Sequence, residues 1–238
     1  MTVLAVFADP PRPGLVLSEL SPAIEPAAAA ELYAASLKDT LVAGAESGGD
    51  LLINYRPNER LPDPFRREET AEEAVRTLAA EALGDLGDVR FEVQVGSTHA
   101  ARAGNTVTHL LREEAAASVA VLDGTVPFLS ARVIDAAAMK LRRSEVVLGP
   151  AQGGHVSYVG FTDAIDFADA WSPPELATLV ERARAADLAV DFVERQPVLR
   201  TEADLATVVV GVAARRRADR PVPSHTAAAV DRIGLRVV

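Results

Sequence analysis

The chain contains no cysteine. That excludes disulfides, zinc ribbons, iron–sulfur clusters and thiol catalysis. Lysine is almost missing: only Lys38 and Lys140 occur, against 22 arginines. Aromatic residues make up 5% of the sequence, so few large rings are available to build a core or a stacking platform. No run of ~18 uncharged apolar residues exists, and no membrane span is expected. Met1–Phe7 is apolar, but it has no basic flank and no cleavage site, so it is not expected to be a signal peptide. A cytoplasmic location is the expectation. Chemistry-bearing motifs are missing as well. There is no G-x-G-x-x-G after the first apolar run, no Walker A lysine loop and no G-x-S-x-G elbow. The four histidines, His99, His109, His155 and His225, show no metal-ligand spacing on a helix.

What is present is a foldable, acidic chain. Its 238 residues are 49% apolar and 24% charged, enough for one large α/β domain with a full core. We assign 1–220 to that domain and 221–238 to an extension packed on it. The 34 acidic and 24 basic side chains give a net charge of −10, which argues against nucleic acid and anionic membranes as partners. Scarce lysine, 44 alanines and excess acid fit a halophilic protein of a high-salt cytoplasm, where an acidic surface stays hydrated. GC-rich codon usage produces the same arginine and alanine bias, and both explanations stand at this point.

The patterning alternates strand and helix. Short apolar runs at Thr2–Ala8, Asp50–Tyr55, Arg90–Val95, Ser118–Leu122, Glu145–Leu148, His155–Phe161 and Leu188–Val193 predict strands. Helical periodicity covers Pro26–Glu46, a segment opened by a capping box at Thr70 and Glu73, one capped by Asn105, one capped by Ser130, one capped by Ser172 with Pro173 next, and Thr201–Arg217. A short helix and a last strand, Gly234–Val238, are expected after Pro221–Pro223. Strand–helix alternation predicts a three-layer α/β/α fold with a mostly parallel sheet. Thr2–Ala8 and Ser118–Leu122 are nearly continuous apolar runs and are expected in its interior.

Ligands of such sheets bind beyond the carboxyl ends of the strands. The loops there are 9-DPPRPG-14, 123-DGTVPFL-129 and 149-GPAQGG-154, rich in the Gly and Pro that let backbone approach a ligand. The candidate polar lining is Asp9, Arg12, Asp123, Thr125, His155, Ser157 and Tyr158. His155 is a candidate general base because imidazole titrates near neutral pH.

Three segments resemble the DUF2064 family, glycosyltransferase-like proteins of the nucleotide-diphospho-sugar transferase (GT-A) fold. They are 5-AVFADPPRPGLVLSELSP-22, 119-VAVLDGTVPFLSARVIDAA-137 and 147-VLGPAQGGHVSYVGF-161, and the likeness runs from Val3 to about Leu205. It implies a nucleotide-sugar site at these loops, whose ligand-binding candidates are Asp9, Arg12, Gly14, Thr125, Gly153, Gly154 and Ser157; the catalytic candidates are Asp123, as a substitute for the metal-binding Asp, and His155, as the base of a rebuilt pocket. The chain departs from the family pattern where charge matters. Positions expected to be basic in the first loop are Asp9, Leu15, Leu17 and Glu19, which leaves Arg12. The metal-binding Asp of G-x-D-x-P falls at Thr125, and the Asp of the glycine loop at Gly153. The family's D-x-D-T-x-x-D-L falls on 198-VLRTEADL-205. Mg²⁺ or Mn²⁺ needs carboxylates to hold it beside a diphosphate. Three readings follow. Metal-dependent transfer is lost, with a binding or regulatory role retained and only weak affinity for nucleotides or nucleotide sugars. A transferase persists, with the metal held by Asp9 and Asp123. Or the pocket is rebuilt as an enzyme for another ligand. No cofactor is assigned unless the second holds.

Overall fold

A computed structural model describes residues 1–236. Seven strands form one sheet in the order β3-β2-β1-β4-β6-β5-β7. They are β1 Thr2–Ala8, β2 Asp50–Tyr55, β3 Arg90–Val93, β4 Ser118–Asp123, β5 Val146–Pro150, β6 Val156–Phe161 and β7 Val190–Phe192. The helices are α1 Pro26–Ala45, α2 Ala71–Leu83, α3 His99–Arg112, α4 Ala131–Lys140, α5 Glu175–Ala185, α6 Glu202–Arg217 and α7 Ser224–Ile233. All neighbouring strands run parallel except β6, which is antiparallel to both β4 and β5.

The two expected interior strands are interior. β1 lies between β2 and β4, and all seven of its residues are buried. Strand side chains alternate between faces, so each apolar run serves two cores. Leu4, Val6 and Ala8 of β1 pack on one face with Ala120 and Leu122 of β4, beneath α1, α2 and α4. Val3, Ala5 and Phe7 pack on the other with Val119 and Val121, beneath α3 and α5. A third cluster lies outside α1, where Leu32 and Ala35 meet Val208 and Leu205 of α6 and Val230 of α7. Helix α1 is therefore covered on both sides. Its many alanines allow that close approach at no rotamer cost.

The chain builds outward from β1 to β2 and β3, then returns to place β4 on the other side of β1. The strand order reverses between β1 and β4, and their carboxyl ends diverge there into a crevice. Four sequence expectations need correction. Helix α3 starts at His99 under a Thr98 cap, not at Asn105, whose side chain instead bonds the Val95 carbonyl. Helix α5 starts at Glu175 with Pro174 as its N-cap, so Ser172 and Pro173 precede it. Ser130 holds its N-cap position without a side-chain hydrogen bond. No strand forms over Gly234–Arg236, where Gly234 (φ 80°) terminates α7; Val237 and Val238 lie outside the described residues.

Candidate functional site

The crevice between β1 and β4 holds a cleft of about 180 Å³, lined by Phe7, Ala8, Asp9, Tyr33, Gln94, His99, Arg102, Asp123, Gly124, Thr125 and Arg200. Larger hollows occur elsewhere. One of about 510 Å³ lies at the amino ends of β1 and β4, and one of about 600 Å³ beside β3 and α3. We place the site in the smaller cleft because acids and bases converge there at the switch point, where ligands of this sheet type bind.

Three elements end at the cleft and each delivers a charge. Asp9 is the first residue past β1. Arg56, the first past β2, grips it through two bonds, Nε to Oδ1 at 2.7 Å and an η-nitrogen to Oδ2 at 2.9 Å. The Asp9 backbone N–H donates to the Tyr33 hydroxyl at 2.9 Å, which fixes the turn out of β1. Burial raises the Asp9 carboxyl above its usual range, and Arg56 only partly offsets this. Asp123 ends β4 and accepts from Arg200 at 3.1 Å. The same guanidinium donates to Glu175 at 2.5 Å and to Nδ1 of His155 at 3.2 Å. Burial works against the Arg200 charge, but Asp123 and Glu175 outweigh it and hold the guanidinium above its ordinary pKa.

Arg102 comes from the first turn of α3. Its Nε is buried without a hydrogen-bond partner. Burial lowers its pKa, and Asp9 pulls the other way. Two further orphaned atoms line the same cleft, Nε2 of His99 and Oγ1 of Thr125. The His99 ring packs edge-on against both Phe7 and Trp171, at centroid distances of 5.6 and 5.4 Å. Buried polar atoms without partners are uncommon, and three around one hollow mark a place for a polar guest.

Of the residues singled out from sequence, Asp9, Asp123 and Thr125 meet in the cleft. His155 lies next to it, against Arg200 and Glu175. The others do not line it. Arg12 is buried and clamps the 56–69 loop, donating to Asn58, to the Phe65 carbonyl and to the Glu69 carbonyl. Its cation is committed to structure. Gly14 makes the turn over the Phe65 ring with φ 79°. Gly153 and Gly154, at φ 69° and 82°, form the turn into β6. The Ser157 hydroxyl bonds the Gly149 carbonyl, tying β6 to β5. Tyr158 is buried in the core on the α1 side of the sheet. Leu15 and Leu17, at positions expected to be basic, pack on that same core. Sequence reasoning missed Arg56, Arg102, Arg200 and Glu175. Position alone signals Arg56, since it follows β2 as Asp9 follows β1.

No known family matches the chain by sequence, and no curated protein does so. Solved structures do match by shape. A protein of Desulfovibrio desulfuricans G20 described as a nucleotide-diphospho-sugar transferase superposes with a TM-score of 0.75 at 21% identity, over 98% of this chain and 96% of that one. The 4-diphosphocytidyl-2C-methyl-D-erythritol synthase of Anaerococcus prevotii gives 0.52 at 13% identity, over 92% and 96%. A cytidylyltransferase of Leptospira borgpetersenii gives 0.52 at 10% identity, over 100% and 97%. The chain has the nucleotide-diphospho-sugar transferase fold.

Proposed function

We propose that this chain is a DUF2064-like protein that has left metal-dependent nucleotide-sugar transfer and binds a small phosphate-bearing anion in the β1–β4 cleft. The observation that carries the proposal is the state of the two carboxylates. Asp9 is held by Arg56 and Asp123 by Arg200, so neither presents a free oxygen pair to a divalent ion. Mg²⁺ or Mn²⁺ does not fit this set. Thr125 supplies a neutral hydroxyl at the position where the resembled pattern has its metal-binding Asp. The cleft instead offers a cation with an unused donor, Arg102, next to the first turn of a 14-residue helix. A guanidinium beside a helix N-terminus is an anion site. Size supports the choice. A cleft of about 180 Å³ is below the ~300–1,000 Å³ of sites that enclose a drug-sized ligand. It suits a phosphate or a small phosphomonoester better than a whole nucleotide sugar.

A second reading keeps transferase activity, with a metal between Asp9 and Asp123. The observation favouring it is that both carboxylates line one cleft. It requires Arg56 and Arg200 to release them. Calorimetric titration with inorganic phosphate, CTP and UDP-sugars, each with Mg²⁺ and with EDTA, separates the two. We expect phosphate to bind in EDTA, and Arg102→Ala to weaken it roughly 10-fold or more, the effect of losing one charged hydrogen bond. Micromolar nucleotide-sugar binding that needs Mg²⁺ and disappears in Asp123→Ala would establish the second reading instead.

A further inference from the structure

Helix α3 serves two places. Its first turn supplies His99 and Arg102 to the cleft, and its last turn brings His109 to Glu92 of the edge strand β3. Past the helix end, the Glu113 and Glu114 N–H groups both donate to the His109 carbonyl, at 2.9 and 3.2 Å, and Ala115 turns the chain at φ 53°. That tight end folds Glu114 back towards the imidazole. One ligand atom from each of Glu92, His109 and Glu114 lies within 4.8 Å of the other two, and no other such trio of acids and histidines occurs among the described residues. The imidazole is oriented from behind. Glu113 lies 2.8 Å from Nδ1, so a proton on Nδ1 is bonded there and Nε2 is left to the other side. Nε2 faces a Glu114 carboxylate oxygen at 3.2 Å. Two electron-rich atoms at that distance need a proton or a metal ion between them. Donors about 2.1 Å from a tetrahedral ion lie about 3.4 Å apart, so this edge already has the spacing of metal ligands. Glu92 is partly exposed and closes the remaining gap by side-chain rotation.

Charge agrees with geometry. Arg90 binds Glu92 at 2.8 Å and Glu114 at 2.6 Å, yet the linked group of Arg90, Glu92, Glu113 and Glu114 keeps two uncompensated negative charges. Each carboxylate has lone pairs beyond those given to Arg90. The carbonyl end of a 14-residue helix adds to the same field. We propose that Glu92, His109 and Glu114 form a site for one divalent ion of the zinc class, with Glu113 as the positioning partner of His109 and a remaining coordination position for water. One imidazole with two carboxylates suits zinc or cobalt(II), whereas Mg²⁺ and Ca²⁺ prefer oxygen alone. Glu92 and His109 also line the hollow of about 600 Å³ beside β3 and α3, so the ion borders that space. It also ties an edge strand to the end of α3. The site is hidden in the sequence because its ligands come from a strand and from both sides of a helix end, which no helical spacing links. It stands apart from the β1–β4 cleft, and neither reading depends on the other.

The test uses the full-length chain, stripped with EDTA and desalted into phosphate-free buffer. About 1 M KCl suppresses diffuse binding to the acidic surface. Zn²⁺ binding is followed by calorimetry and Co²⁺ binding by its visible absorption. Wild type is expected to take up one equivalent that excess Mg²⁺ does not displace. His109→Ala and Glu114→Gln are each expected to weaken it at least 10-fold, and Glu113→Gln about 10-fold, the scale for losing an outer partner of a ligating histidine. As a second readout, Zn²⁺ should raise the melting temperature of wild type by mass action and leave that of His109→Ala unchanged. The proposal is overturned if wild type binds no stoichiometric ion, or if His109→Ala and Glu114→Gln keep wild-type affinity. It is also overturned if the equivalent disappears in Asp123→Ala instead, which would place the ion in the cleft.

Discussion

Asp9 shows how one residue changes meaning with its neighbours. Read in sequence, an acid after the first strand repels phosphate. In the fold it is bound to Arg56, and the pair presents little net charge to the cleft. Removing Arg56 leaves a largely buried carboxylate alone. Arg56→Gln is expected to destabilise the protein by about 1–3 kcal/mol at pH 7, the penalty for orphaning such a group. The sign with pH follows from the direction of the Asp9 shift. Its folded-state pKa is raised by burial, and loss of Arg56 raises it further. A raised carboxyl favours the folded state below its unfolded pKa, and that contribution is lost as pH rises through the folded value. The deficit of Arg56→Gln should therefore shrink on acidification from pH 7 towards pH 5, read as the difference in urea midpoints. A deficit that grows in acid would show that Asp9 is ionised and solvated there. Asp9, Asp123 and Thr125 were legible as lining of the candidate cleft because they sit just past or at strand ends. Arg102 and Arg200 were not, because side-chain direction on a helix turn or a loop has no simple sequence period.

At the scale of elements, the strands were the most legible features. β1 and β4 are apolar on both faces because helices cover both, and that demand leaves a continuous run in the sequence. The starts of α3 and α5 were less legible. The first turn of α3 turns His99 and Arg102 to the cleft and so breaks the apolar period there, and two prolines precede α5. Helix α7 poses a related problem. Its N-cap is Pro223, which offers no side-chain acceptor. Asp39, buried in α1, takes that role from across the chain, accepting from the backbone N–H of His225 at 3.0 Å and of Thr226 at 2.7 Å. Asp39→Ala is expected to cost about 1–2 kcal/mol, the range for a lost helix cap. Because α7 packs on α1, the loss should appear locally as faster proteolysis within 217–224 before global unfolding. Asp39→Asn keeps one acceptor and should fall between the two. Equal cleavage rates in all three proteins would show that the apolar contacts of Ala229 and Val230 hold α7 without the cap.

For the whole molecule the question is what 34 acidic residues do against 24 basic ones. Ion pairs use many of the arginines, as in Arg182 with Asp166 and Asp169, Arg216 with Asp231, and Arg90 with Glu92 and Glu114. Ten negative charges remain in excess. Folding brings them closer together, so their repulsion opposes the compact state. Salt acts on both effects. It screens the excess repulsion, and it also weakens the exposed pairs, each worth only ~0–1 kcal/mol. The partly buried pairs around Asp9 and Arg200 are screened least, so the structure of the cleft should persist. The screening length falls from about 10 Å at 0.1 M to about 3 Å at 1 M, short enough to uncouple unpaired surface carboxylates. Because the exposed pairs contribute little each while ten unpaired charges repel, the melting temperature is expected to rise between ~0.1 and ~2 M KCl. A flat or falling curve would assign the arginine and alanine bias to codon usage instead of adaptation to salt. The same series separates the cleft from the surface. Salt screens the repulsion of an anion by the acidic surface, so phosphate held by Arg102 within a confined hollow should keep its affinity as KCl rises, whereas an anion met only by the outer field should not bind at any ionic strength.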